Sequence, residues 1–221
     1  MTTSESSPSA RRMRSDAARN HAKILAAGDR LLAERGLDVT LDDVAAAAQV
    51  GVGTVYRRFA NKSELIAEIT GGYVTRMEEA AAAAERNPDP WSGLAGLLER
   101  TCELVAGNRG LAAAMSESAD GARIFARFEA AVAPVLENLV DRARAGGAVR
   151  ADLALADVLA SFSMVHAVAS FTGAVRPGNW RRYLALLLDG MRYPGAPAVE
   201  PALTMAEIRS ARAIAAARDR R

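Results

Sequence analysis

Between Thr40 and Asn61 the chain has room for two short helices and a tight turn, and for little else. Thr40 is a good N-cap, and Asp43 three residues later makes a capping-box pattern with Asp in place of the usual Glu. Leu41, Val44, Ala45 and Ala48 then share one side of a helix. Only Gln49, Val50 and Gly51 separate that helix from the next stretch, GVGTVYRRFANK. Asn61 with Glu64 marks a further cap, opening a long helix from Lys62 to about Arg86. Two short helices joined by a tight turn, the second exposed, is the helix-turn-helix layout.

The chain carries 28 basic and 26 acidic residues, yet Ala45 to Asn61 holds no Asp or Glu. On a helix turning about 100° per residue, Val52, Val55 and Phe59 share one side and are expected to seal against the preceding helices. Gly53, Thr54 and Arg57 fall opposite, with Tyr56 and Arg58 on the two edges. Such a face suits a polyanion. The planar fork of Arg57 matches guanine in the major groove. Tyr56, Arg58 and Lys62 have the reach and the donors for phosphate oxygens. Thr40 stands at a helix N-terminus, which attracts phosphate. An isolated Arg-Arg pair would read as an ordinary solvated face. The tight turn before it and the missing acids point instead to nucleic acid.

The rest of the chain reads as helical throughout, with half of its residues hydrophobic and many of them alanine. Residues 1–14 are Ser/Thr-rich and then basic (Arg11, Arg12, Arg14), and are expected to form a disordered arm. A helix should start near Ser15 or Asp16 and stop at Gly36. Beyond NPDP at 87–90, helical patterns cover about 91–106, 111–118, 121–145, 154–173 and 179–192. Pro134 should kink or break the third of these. Gly71-Gly72 interrupts the long fourth helix, as a hinge or as a close packing contact against the first. From Gly195 a Pro/Ala-rich tail returns to a short basic helical pattern.

Other classes find less support. The one cysteine, Cys102, has no internal partner, residues 1–10 lack a secretory core, and no uncharged apolar run reaches the ~18 residues of a membrane helix. The expectation is a cytoplasmic protein without membrane contact. The two histidines, His21 and His166, lie on different halves and in no H-E-x-x-H pattern. There is no Cys/His cluster, phosphate-binding glycine loop or nucleophile elbow. No catalytic residue, metal or cofactor is expected. A helical small-molecule-binding or interaction protein without operator function is the remaining alternative.

The run TLDDVAAAAQVGVGTVYRRFANKSEL (40–65) resembles the DNA-binding signature of the TetR/AcrR family of bacterial transcription regulators. The matching positions are Thr40, Val44-Ala45, Ala48, Val50, Gly53-Thr54-Val55-Tyr56, Phe59, Lys62 and Leu65, with the upstream AERG. Gln49 stands where the family often has Gly in the turn, and Gly51 where it often has Ser as N-cap. The resemblance implies an all-α protein of about nine helices: an N-terminal helix-turn-helix domain (15–61), a ligand-binding and dimerisation bundle (62–194) and a tail (195–221).

It further implies DNA contacts by Thr40, Val52, Gly53, Thr54, Tyr56, Arg57, Arg58 and Lys62, with Val52, Gly53, Thr54 and Arg57 reading bases. Arg11, Arg12 and Arg14 either enter a minor groove or stay disordered. A homodimer through the apolar helices 154–173 and 179–192 would place two heads on a palindromic double-stranded DNA operator. Met115, Phe125, Phe128, Met164, His166 and Phe171 are the pocket candidates for a small, mostly apolar effector that releases a repressor from DNA.

Overall fold

The computed structural model describes residues 8–105, 108, 110–111, 114, 121–192, 195, 198 and 200–218. Among them are nine α-helices and no strand: α1 (Pro8–Arg35), α2 (Leu41–Ala48), α3 (Val52–Arg58), α4 (Lys62–Glu85), α5 (Pro90–Val105), α6 (Gly121–Ala145), α7 (Leu155–Thr172), α8 (Trp180–Arg192) and α9 (Met205–Arg218).

Local chemistry accounts for most of these bounds. Proline fits the first position of α1, where the missing N–H would have no helical acceptor. The helix therefore starts at Pro8 and not near Ser15: Arg11, Arg12 and Arg14 lie on its first turns, which corrects the expected disordered arm over 8–14. Residues 1–7 lie outside the described set. Alanine and arginine, both strong helix formers, extend the helix through a segment whose low apolar content suggested disorder. Gly36, at φ +65°, ends it, with its N–H on the Leu32 carbonyl.

The α2 capping box is complete. Asp43 N–H donates to Thr40 Oγ1 at 3.1 Å, and Thr40 N–H to Asp43 Oδ2 at 3.0 Å. The helix closes with Val50 N–H on the Ala45 carbonyl and Gln49 N–H on the Ala46 carbonyl, a Schellman pattern. Gln49 occupies its left-handed position at φ 56°. This explains why glycine suits that place in the resembled family. The α4 cap is Asn61, whose side chain accepts from Glu64 N–H at 3.0 Å.

Pro134 lies on the exposed side of α6, which runs through it from Gly121 to Ala145, so the expected break is absent. Of the pattern over 111–118, only Leu111 and Ala114 are described, both helical.

Two apolar cores result. One gathers Ile24, Leu31 and Leu32 of α1, Leu41, Val44 and Ala45 of α2, Val55 and Phe59, and Leu65, Ile66, Ile69 and Tyr73 of α4. The other joins α4 from Met77 onward with α5, α6, α7 and α8. Leu104 and Val105 pack against both. Helix α4 thus belongs to the head and to the bundle. Leu111 and Ala114 cross the boundary into the head's core.

A hydrogen-bonded cluster sits at that crossing. The Tyr73 hydroxyl donates to Asp29 at 2.8 Å, and Asn108 Nδ2 donates to Asp29 at 2.8 Å and to the Tyr73 oxygen at 3.0 Å. Asn108 Oδ1 accepts from Leu111 N–H. Burial, the largest cause, and the Asp29 carboxylate push the Tyr73 phenol above its ordinary pKa.

Candidate nucleic-acid interface

Helix α3 packs by its inner side. Val55 is fully buried and Phe59 nearly so, whereas Val52 is 46% exposed. The expected seal by Val52 is therefore corrected: at the first position of a seven-residue helix it points past α2 and into solvent. Gly53, Tyr56 and Arg57 are exposed beside it, and Thr54 is half-buried.

The outer face has little internal claim on it. A Cβ built on Gly53 would meet only the Arg57 guanidinium, at 4.0 Å. Nothing in this chain requires glycine there. Arg57 Nη2 rests on Thr54 Oγ1 at 3.2 Å. Two exposed apolar groups, Val52 and Tyr56, flank a bare backbone and a guanidinium. That arrangement can receive the edges of bases.

The rim is more committed than the sequence implied. Thr40 Oγ1 donates to Asp43 at 2.7 Å within its own capping box, and that bond is the first of those that hold the Asp43 carboxyl below its ordinary pKa. The Asp42 carboxylate beside Tyr56 raises the pKa of that phenol. Lys62 Nζ donates to the Leu37 carbonyl at 2.8 Å, tying α4 to the end of α1. Arg58 is turned back onto Glu68 of α4, at 3.2 Å, and onto His21 of α1. Asp42, Glu68 and His21 were not legible as rim groups. Their place depends on how α1, α2 and α4 cross, which no spacing in the sequence encodes.

Residues 24–69 match the family model described as bacterial regulatory proteins, tetR family. Residues 89–193 match the model for the C-terminal domain of SbtR-like transcriptional regulators. The chain belongs to the TetR family.

Among solved TetR-family structures, SCO0520 from Streptomyces coelicolor is 28% identical, with a TM-score of 0.57 over 79% of this chain and 99% of that one. A TetR regulator from Mycobacterium vanbaalenii is also 28% identical, with a TM-score of 0.55 over 82% and 99%. AibR, solved in complex with isovaleryl coenzyme A and operator DNA, shares the fold at 19% identity, with a TM-score of 0.62 over 80% and 100%. No curated protein matches the chain. As a TetR-family member the protein is a DNA-binding transcriptional regulator with a helix-turn-helix head and a helical C-terminal domain.

The described pocket candidates differ in their surroundings. Phe128 is buried in the bundle core. His166 is half-buried, with Nε2 3.3 Å from Ser170 Oγ and Nδ1 buried without a partner. Met164 is 52% and Phe171 81% exposed, so the expectation that they line an internal pocket is corrected. They lie on the side of α7 turned away from Val158, Val165 and Ala169. Met115 lies outside the described residues, as does the side chain of Phe125. Cys102 is buried, and burial pushes its thiol up to about 12.

Proposed function

We propose that this TetR-family regulator is a repressor that binds a palindromic operator as a homodimer and is released by a small, mostly apolar effector. The observation that carries the reading is the outer face of α3. Val52, Gly53, Tyr56 and Arg57 project from it, and Gly53 is free of any packing requirement. Val52, Gly53, Thr54 and Arg57 are the proposed base readers. Thr40, Tyr56, Arg58 and Lys62 are the proposed phosphate contacts.

Dimerisation is supported by a second unpartnered surface. Met164 and Phe171 of α7 and Leu186, at 55%, of α8 are exposed apolar side chains on helices that pack against each other. One head buries too little surface to hold a specific site, so a second copy on this face completes the reader. Helix α7 also has the length and apolarity of a membrane span. Asp157 in its first turn, accepting from Ala154 N–H, and its packing against α5, α6 and α8 favour the interface reading.

The effector reading is supported by two unpaired polar atoms inside the bundle domain, Thr101 Oγ1 and His166 Nδ1. An otherwise apolar molecule with one or two hydrogen-bonding groups would satisfy them. Selection of genomic fragments bound by the full chain tests the function. Recovery of one palindrome, bound far more tightly than random duplex and weakened steeply by salt, is the expected result. Equal affinity for all sequences overturns it.

A further inference from the structure

Arg58 ends the DNA-facing helix, yet its half-exposed guanidinium is engaged by other side chains of this protein. Nη2 reaches Glu68 Oε2 at 3.2 Å and Nε donates to His21 Nδ1 at 3.2 Å. The guanidinium also lies 5.3 Å from the Phe59 ring centre, and the imidazole stacks on that ring at 6.0 Å. Because Arg58 donates to Nδ1, the imidazole proton sits on Nε2, which donates to Glu68 Oε1 at 2.7 Å. The three side chains come from α1, the end of α3, and α4, and close a ring of hydrogen bonds around a neutral imidazole.

That ring has one weak member. A second proton on His21 lands on Nδ1, the atom that accepts from Arg58, and turns an acceptor into a donor. The imidazolium also places a positive charge beside the guanidinium while still satisfying Glu68. Several other described charges on these helices are held by partners of their own. On α2, Asp43 is bonded to Thr40 and paired with Arg35, and Asp42 faces Tyr56. On α4, Glu64 accepts from Ala60 N–H and Lys62 is bonded to Leu37. On α1, Arg19 pairs with Asp16.

We propose that His21 and Glu68 are positioning residues that store Arg58 away from DNA, and that protonation of His21 hands Arg58 to a backbone phosphate. DNA binding is then coupled to proton uptake in the head. This rests on α3 being the DNA-facing helix. The only other histidine, His166, lies in the bundle domain, so the linkage is assigned to one residue per subunit.

The test is fluorescence anisotropy of the full-length protein with a labelled duplex from the fragment selection and with a random-sequence duplex, at pH 6 and pH 8, each across a salt series. The wild type binds both duplexes several-fold more tightly at pH 6. Its slope of log K against log salt steepens by about two per dimer, one phosphate contact per subunit. His21→Gln copies the neutral imidazole, donating to Glu68 and accepting from Arg58, and stays weak and flat with pH. Arg58→Ala is flat as well. Glu68→Gln, which frees Arg58 without protonation, binds tightly at both values. Binding by the wild type that is unchanged between pH 6 and pH 8, or a rise that survives in His21→Gln or Arg58→Ala, overturns the inference and leaves the DNA-binding reading intact. Absence of salt-sensitive binding to either duplex at both pH values overturns the two together.

Discussion

Gly110 lies with its backbone against that of Leu32: a Cβ on residue 110 would stand 2.4 Å from the Leu32 carbonyl oxygen and 2.7 Å from its carbon. Neither atom can swing aside, because Leu32 belongs to the last turns of α1. Alanine at 110 therefore forces the segment carrying Asn108, Leu111 and Ala114 away from the head. The expected loss is about 1–3 kcal/mol, as for overpacking of a well-filled core. Urea unfolding of Gly110→Ala measures it, and an unchanged midpoint would contradict the close approach.

Gly53→Ala separates folding from function. The Cβ has open space, and glycine weakens a helix by roughly 0.5–1 kcal/mol relative to alanine. Stability should stay level or rise by that amount. Affinity for the selected operator should fall at least several-fold, because the methyl group intrudes where base edges approach. Thermal melting and anisotropy on the same preparation give both answers.

The turn before α3 can be strengthened in two places. Gln49 holds a left-handed conformation that glycine adopts freely, so Gln49→Gly should stabilise the head by about 1 kcal/mol. Gly51→Ser adds a side-chain cap to a helix start that has none, and should contribute a few tenths of a kcal/mol. A differential melt of each variant checks the sign. Operator affinity should follow stability and not fall.

His166 makes the bundle domain acid-sensitive. Burial holds its imidazole below the ordinary value of 6.5. The folded state thus binds fewer protons than the unfolded chain near and below that pH. Stability is fully present above about 6.5 and is lost as the pH falls through the lower folded value. His166→Gln should flatten this dependence in urea titrations between pH 7 and pH 5, while leaving the pH response of DNA binding in place.

Gly71 and Gly72 can be replaced together. Neither packs tightly: a Cβ at 71 would lie 3.9 Å from Arg127 Nη1, and at 72 there is nothing within 4 Å. A glycine at close quarters between α1 and α4 is Gly28 instead, whose Cβ would meet Ile69 Cδ1 at 2.9 Å. The packing explanation for the pair thus falls away, and a soft point in a helix shared by both cores is the reading to test. The double alanine variant should stiffen α4, with slower amide exchange over 68–76 measured by mass spectrometry. Exchange equal to wild type would argue against a hinge.

What the sequence disclosed depended on how local each signal was. Thr40 with Asp43, and Asn61 with Glu64, fix helix starts through neighbours three residues away, and the structure realises both pairs. The buried set Leu41, Val44, Ala45 and Ala48 follows from helical period alone. Pro8 starts a helix although the serines around it and the scarcity of apolar residues suggest disorder; such composition says little about a helix built from alanine and arginine. Val52 obeyed the period but not the burial, since a short helix outruns the partner it rests on. Met164 and Phe171 are apolar like their buried neighbours, and only the placement of α5 and α6 against α7 decides which side they face. The ring of His21, Arg58 and Glu68 joins residues 37 and 10 positions apart, and is invisible until the helices cross.

The meeting of the two cores through Asp29, Tyr73 and Asn108 has a mechanical consequence. Apolar surfaces slide over one another gradually, but the buried Asn108 amide tolerates no half-measure: displaced by an ångström, it has lost its partners and not yet gained water. Head and bundle are thereby joined by a detent. Motion across it proceeds by a click from one seated arrangement to another, which gives a regulator a threshold where a greased joint would give only drift.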